Sequence, residues 1–291
     1  METNHKNSLF AGFFTIWLLF SAGHLIAQNK SIAPVVGTQP DGSILVPINK
    51  LLRPAGFQVY MPLQPIYPAL ISEKGLLAVK NKNSLDIIRL SDRTILQSLP
   101  LSGGGSSFKG ICYSGKNSSI YATDAKDRIL IARLDENNIL GWQTPVRLPV
   151  PAIGRSPYPG RLALDREENT IYVTLSRSNS VAVVNLSDTS VSEIPAGIVL
   201  YDVILKSKWK VYVSNWGGRQ PNPCEPFYNS SGSQVLVDSV TGIASNGTVS
   251  VINLEKKWEE KFIEIGLYPS GMVFSKDKSR LFVSCANSDI I

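Results

Sequence analysis

The chain reads as short apolar runs, four to seven residues long, separated by polar turns, with almost no apolar spacing of three or four that would mark an amphipathic helix. The runs are rich in β-branched and aromatic residues, and Gly, Pro, Asn, Asp and Ser bound them, which predicts an all-β protein. One run recurs four times: Leu85-Asp86-Ile87-Ile88-Arg89-Leu90, Ile129-Leu130-Ile131-Ala132-Arg133-Leu134, Val181-Ala182-Val183-Val184-Asn185-Leu186 and Val249-Ser250-Val251-Ile252-Asn253-Leu254. A second run precedes it, seen as Leu77-Ala78-Val79, Tyr121-Ala122-Thr123, Ile171-Tyr172-Val173-Thr174, Val211-Tyr212-Val213-Ser214 and Leu281-Phe282-Val283-Ser284. A third lies ahead of that, after an aromatic residue and often a proline, at Tyr67-Pro68, Phe108, Tyr158-Pro159, Tyr201 and Tyr268-Pro269.

Measured from Leu77 to Tyr121, Tyr172 and Tyr212, the repeat intervals are 44, 51 and 40 residues. Periods near 40 to 50 with about four short strands are those of propeller blades. The expected fold is therefore a β-propeller of four-stranded antiparallel blades, four of them recognisable and a fifth truncated at Ile291. On this reading the chain is an N-terminal fragment. The interval from Tyr212 to Phe282 is 70 residues, so the fourth blade carries an insertion, placed at residues 215–246 and expected to be a long surface loop because of its prolines and glycines.

The N-terminus changes the picture of where the protein works. Lys6, an apolar run over residues 9–22 and small residues up to Ala27 have the layout of a secretory signal peptide, with cleavage expected after Ala27. An uncleaved anchor is the alternative, with Leu25-Ile26-Ala27 extending the run. Residues 28–50 form an N-terminal extension and residues 51–291 the propeller. The expected location is the periplasm or the cell exterior. After the leader no apolar segment is long enough for a transmembrane helix.

The net charge of +6 is spread along the chain, as in Lys206, Lys208 and Lys210, rather than gathered into a patch, which argues against nucleic acid as the partner. The three cysteines, Cys112, Cys224 and Cys285, are far apart and make neither a disulfide framework nor a zinc site. Cys112 and Cys285 fall in apolar strand-like runs and read as small core residues.

The two histidines, His5 and His24, both lie in the leader, which leaves no histidine for a Ser-His-Asp or Cys-His system or a metal site. Asp124 and Asp127 lack the oxygen ligands of a calcium loop in the residues that follow. The run Gly103-Gly104-Gly105-Ser106-Ser107-Phe108-Lys109 departs from a phosphate loop at Phe108 and at Gly110. Ser-Lys or paired-carboxylate chemistry has no spacing that points to it. The sequence thus predicts no catalytic residue, no cofactor and no metal within this chain.

Binding candidates come from the repeat geometry. Tyr67, Phe108, Tyr158, Tyr201 and Tyr268 hold the same repeat position ahead of the strand nearest the axis, and should form a partial ring. They serve either as inter-blade packing or as the aromatic mouth of a site for a ligand or protein partner. Arg155 and Arg161 flank Tyr158, and Trp216 and Arg219 open the insertion; an arginine there either holds an anionic group or forms a structural ion pair.

These repeats resemble YVTN/YncE-type β-propeller repeats over residues 51–291, through Ile171-Tyr172-Val173-Thr174, the run from Gly247 to Leu254, and Pro269-Ser270-Gly271-Met272 with Asn287-Ser288-Asp289. Val213-Ser214-Asn215-Trp216-Gly217-Gly218-Arg219 and the run from Val237 to Ser245 resemble the branch in which the propeller is fused to a phosphoesterase of the alkaline phosphatase type. Cys285 departs from the small residue common at its position. The resemblance implies an exported binding or scaffold module without its own catalytic site. Alternatively it implies the propeller half of a secreted metal-dependent phosphoesterase whose catalytic domain lies beyond residue 291.

Overall fold

The computed structural model describes residues 35–291 except 102, 104 and 289, and the side chains of residues 106 and 108 lie outside the description. The leader at residues 1–27 and the first part of the extension fall outside the described residues. The chain divides into two compact units, with the boundary between Tyr60 and Met61. In the first, the short strands Gly37–Thr38, Ile44–Leu45 and Leu51–Leu52 form one antiparallel sheet. Leu51 thus pairs with Leu45 in this sheet, and the first blade begins at Pro65 rather than at residue 51.

The second unit consists of propeller blades. Blade 1 comprises Pro65–Ile71, Leu76–Asn81, Ser84–Arg89 and Thr94–Pro100, paired in that order. Blade 2 comprises Ser106–Ser114, Ser119–Asp124 and Arg128–Leu134, with a fourth strand in two pieces, Leu140–Trp142 and Val146–Arg147. Blade 3 runs through Pro159–Leu164, Thr170–Leu175, Ser180–Asn185 and Val191–Pro195. Blade 4 is Ile198–Ser207, Lys210–Gly218, Gly247–Asn253 and Trp258–Ile265, and the strands Pro269–Phe274 and Leu281–Cys285 belong to a fifth.

Short polar turns join the strands of a blade, and their side chains replace missing ladder bonds. Asp165 Oδ1 accepts the amides of Asn169 and Thr170, while Asp135 Oδ1 accepts those of Asn137 and Ile139. The middle strands are buried on both faces because each blade is sandwiched by its neighbours; Val181, Ala182 and Val184 are all 0% exposed. Accordingly the core of the described residues falls into four successive clusters. The first joins Leu85 and Ile87 of blade 1 to Ile111 and Ile120 of blade 2, and the last joins Val249 of blade 4 to Met272 and Val283. Cys285 lies in this last cluster and Cys112 against the second, both unpaired, with burial pushing the Cys112 thiol up to about 12.

The first strands of successive blades lie against one another on the axial side. Each carries a β-bulge near its start, between Pro65 and Tyr67, Ser106 and Ile111, Pro159 and Leu162, Ile198 and Asp202, and Pro269 and Met272. A bulge re-aims the side chains beside it, so the axial residues do not follow simple alternation.

Pairing also settles the repeat register. Leu76 faces Arg89 as Ser119 faces Arg133, which aligns Ala78, not Leu77, with Tyr121. One column of this alignment runs Lys80, Thr123, Thr174, Ser214 and Ser284. Thr123 Oγ1 donates to the Gly160 carbonyl of blade 3 at 3.0 Å, and Thr174 Oγ1 to the Tyr201 carbonyl of blade 4 at 3.3 Å. The shorter Ser214 and Ser284 instead accept from Asp202 N and Gly271 N of their own blades.

Candidate functional site

A cavity of about 710 Å³ opens where the first strands converge. Blade 1 contributes Pro65 and Lys82 to its wall, blade 2 Ser107, blade 3 Tyr158 and Arg177, and blade 4 Tyr201 and Trp216. Ser230, Ser231 and Ser233 of the insertion complete the wall. This insertion is not the irregular loop expected from sequence. Phe227–Ser230 and Ser233–Leu236 form a β-hairpin, and Val235, Leu236 and Val237 are buried. The prolines before it hid a short alternating run.

Asn179 fastens the hairpin. Its Nδ2 donates to Ser233 Oγ at 2.8 Å, and its Oδ1 accepts from Ser233 Oγ and from Val199 N. Asn179→Ala removes these bonds, each worth about 1 kcal/mol. Proteolysis within residues 219–246 should then accelerate roughly tenfold or more while blade 3 stays protected; limited digestion followed by mass spectrometry checks this.

The aromatic residues form a cluster along part of the wall rather than an even ring. Tyr201 stacks on Trp216 with centroids 4.2 Å apart, and Tyr268 meets the other ring edge at 5.5 Å. Tyr67 and Tyr201 lie within their strands, whereas Tyr158 and Tyr268 precede theirs, with φ of 47° and 53°. That left-handed conformation is held in both cases by the same bonds, Ser176 N to the Tyr158 carbonyl and Ala286 N to the Tyr268 carbonyl. These aromatic residues do not share one repeat position as expected: Pro159, Pro269, Leu200 and Pro65 face Leu175, Cys285, Asn215 and Asn81, so the counterpart of Tyr158 and Tyr268 in blade 4 is Val199, with φ of 55°, and Tyr67 and Tyr201 sit further along their strands. The side chain of Phe108 falls outside the description.

Deeper along the same strands lie charged residues. Arg161 Cζ sits 4.7 Å from the Tyr67 ring centre and Lys109 Nζ 4.8 Å from that of Tyr201. Between them Asp202, 3% exposed, is 3.8 Å from Arg161 Nε and 3.9 Å from Lys109 Nζ. Its oxygens accept the amides of Val203 at 2.8 Å and Met272 at 3.2 Å, the latter from the next blade. Burial raises the Asp202 carboxyl above its ordinary value; both cations oppose this, yet at nearly 4 Å they do not cancel it.

Arg161 is thus engaged by Asp202 and Tyr67 and does not line the cavity, whereas Arg177 lines it and lies over Tyr158 at 4.3 Å. Arg219 does not line the cavity: Glu225 holds it bidentately at 2.7 and 2.8 Å inside the insertion. Arg177, Lys109, Asp202 and Ser107 were not sequence candidates. Two of the lining residues, Arg177 and Trp216, carry buried N–H groups, Nε and Nε1, that have no hydrogen-bond partner. Arg161 Nε is a third such donor.

Such a cavity on the axis of radially arranged four-stranded blades defines a β-propeller with an axial pocket. No protein-family model and no curated protein matches the sequence. Among solved structures the chain is similar to hydrazine synthase of Kuenenia stuttgartiensis, with 13% identity and a TM-score of 0.55 over 79% of this chain and 58% of that one. It is also similar to a Bacteroides uniformis protein solved as a candidate 6-phosphogluconolactonase, with 16% identity and a TM-score of 0.53 over 77% and 64%. A third is the dihydro-heme d1 dehydrogenase NirN, with 12% identity and a TM-score of 0.52 over 74% and 41%. At these identities the likeness concerns the propeller fold alone, and the chain spans less than two thirds of the length of each of these structures. Among the described residues no helix is long and apolar enough to cross a membrane.

Proposed function

We propose that this chain is an exported binding module of the YVTN/YncE type, whose axial pocket takes a small ligand with a flat apolar body and an anionic group. The unpaired N–H donors of Trp216 and Arg177 carry this reading, because a buried donor left without an acceptor is expensive and a ligand acceptor would satisfy it. The stacked pair Tyr201–Trp216 offers the apolar surface. The charged side chains lining the pocket are those of Lys82 and Arg177, which favours a negative ligand. The signal-peptide layout of residues 1–27 supports export to the periplasm or beyond.

Naphthalene-2-sulfonate is a suitable probe, read by quenching of tryptophan fluorescence. It should bind more tightly than the uncharged naphthalene-2-methanol, and Trp216→Ala or Arg177→Gln should each weaken it about tenfold, the equivalent of one lost charge-assisted bond. Equal binding of both probes, or none of the sulfonate, rejects the reading.

The resemblance of the insertion favours a second reading, in which the propeller is the substrate-facing half of a secreted metal-dependent phosphoesterase. Asp/His metal-ligand clusters in the gene beyond residue 291 would support it; a stop codon soon after further blade repeats would reject it.

A further inference from the structure

Lys80 is out of place in its own repeat. The other blades carry Thr123, Thr174, Ser214 or Ser284 in its column, small hydroxyls that satisfy strand backbone. Blade 1 instead buries a lysine completely, at 0% exposure, although lysine is among the residues least often found fully buried. Its Nζ lies 2.9 Å from Ser107 Oγ, 3.1 Å from the Gly110 carbonyl and 3.3 Å from Thr123 Oγ1. Burial pushes the amine down to about 7, with Asp124 only partly opposing, so a neutral amine is populated near neutrality.

Ser107 does not share that burial. It lines the axial cavity on one side and meets Lys80 on the other, and Thr123 holds its hydroxyl in place. A hydroxyl open to a ligand cavity, within hydrogen-bond reach of an amine base that neighbouring oxygens orient, is the arrangement of an activated nucleophile. It needs no histidine.

We propose that Ser107 and Lys80 form a serine–lysine acyl-transfer centre in the axial pocket, acting on small esters with a flat apolar part. Neutral Lys80 Nζ takes the proton of Ser107 Oγ as that oxygen bonds to the ester carbonyl carbon. The C–O bond to the alcohol then breaks, and the departing oxygen receives the proton from the Lys80 ammonium. Water, deprotonated in turn by Lys80, cleaves the Ser107 ester, releases the acid and restores the hydroxyl. This centre runs against the sequence expectation of a chain without catalytic residues. It uses the proposed ligand pocket but is separable from it, since naphthalene-2-sulfonate binding reports the pocket alone.

The test is covalent labelling of the full chain with an alkyl fluorophosphonate, mapped by peptide mass spectrometry across pH. Ser107 should be labelled ahead of Ser176, Ser230, Ser231 and Ser233, which line the same cavity and serve as internal references. The rate should rise with pH through a midpoint near 7, where Lys80 loses its proton. Ser107→Ala should abolish the label. Lys80→Arg keeps a charge and its donors but supplies no base, and should slow labelling about 100-fold. Labelling of Ser107 no faster than of Ser231, or unchanged in Lys80→Arg, overturns the proposal. If Lys80→Arg does not fold, the wild-type profile decides, and a rate without the midpoint near 7 overturns it equally.

Discussion

The unfolding free energy of this protein is expected to rise between pH 7 and about pH 9.5, and Lys80→Met to remove most of that rise. The amine has an ordinary value of 10.5 and a folded value of about 7. Within that window the unfolded chain holds a proton on Lys80 and the folded chain does not. Stability increases with pH wherever the unfolded state binds more protons, by about 1.4 kcal/mol per pH unit for one proton. The gain by pH 9.5 is thus on the order of 3 kcal/mol. As pH falls below 7 both states are protonated, and the folded chain must carry a buried ammonium, so the gain is gone. Methionine has similar length and no charge to bury. Urea titrations at a series of pH values check this, and parallel profiles for the two proteins would show that Lys80 is not the titrating group.

Gly110→Ala should destabilise the fold by about 3 kcal/mol or more, in the upper range for overpacking. A Cβ at Gly110 would run into Thr123 Oγ1 and the Gly160 carbonyl. Neither can retreat cheaply: the first belongs to the second strand of blade 2 and the second to the first strand of blade 3, and the two are bonded to each other. The expected loss in melting temperature is about 6 °C or more for a unit of this size. The Gly110 carbonyl also accepts from Lys80, so labelling at Ser107 should slow as well. Calorimetry of the purified variant decides, and a melting temperature within a degree of wild type would mean that blades 2 and 3 can part at little expense.

The propeller was legible because each blade repeats the same burial demand, and strands sandwiched between neighbours must be apolar along their length. The register of blade 1 slipped by one residue because Leu76-Leu77-Ala78-Val79 is apolar throughout and offers no alternation to fix it. Within the site, Tyr158 and Tyr201 were singled out from the aromatic that precedes each first strand and Trp216 from its place at the start of the insertion, and the structure brings the three to one cavity. Arg177, Lys109 and Asp202 were not, since bulges at the start of the first strands decide what faces the axis and no residue type announces a bulge. Lys80 carried a signal that was passed over: in a column of Thr and Ser, it alone bears a long charged side chain.

The column that runs through Thr123 and Thr174 also bears on how such a chain could have grown. Each of these hydroxyls reaches a main-chain carbonyl of the next blade, an atom that every amino acid supplies. The bond itself is therefore made to main chain and not to a side chain of the neighbour. A blade copied in tandem arrives with both halves of the joint already present, one in its second strand and one in its first. Duplication or exchange of a blade of this kind then leaves the connection intact without any compensating substitution, and in the first blade Lys80 Nζ reaches the Gly110 carbonyl of the next blade where the others use a hydroxyl.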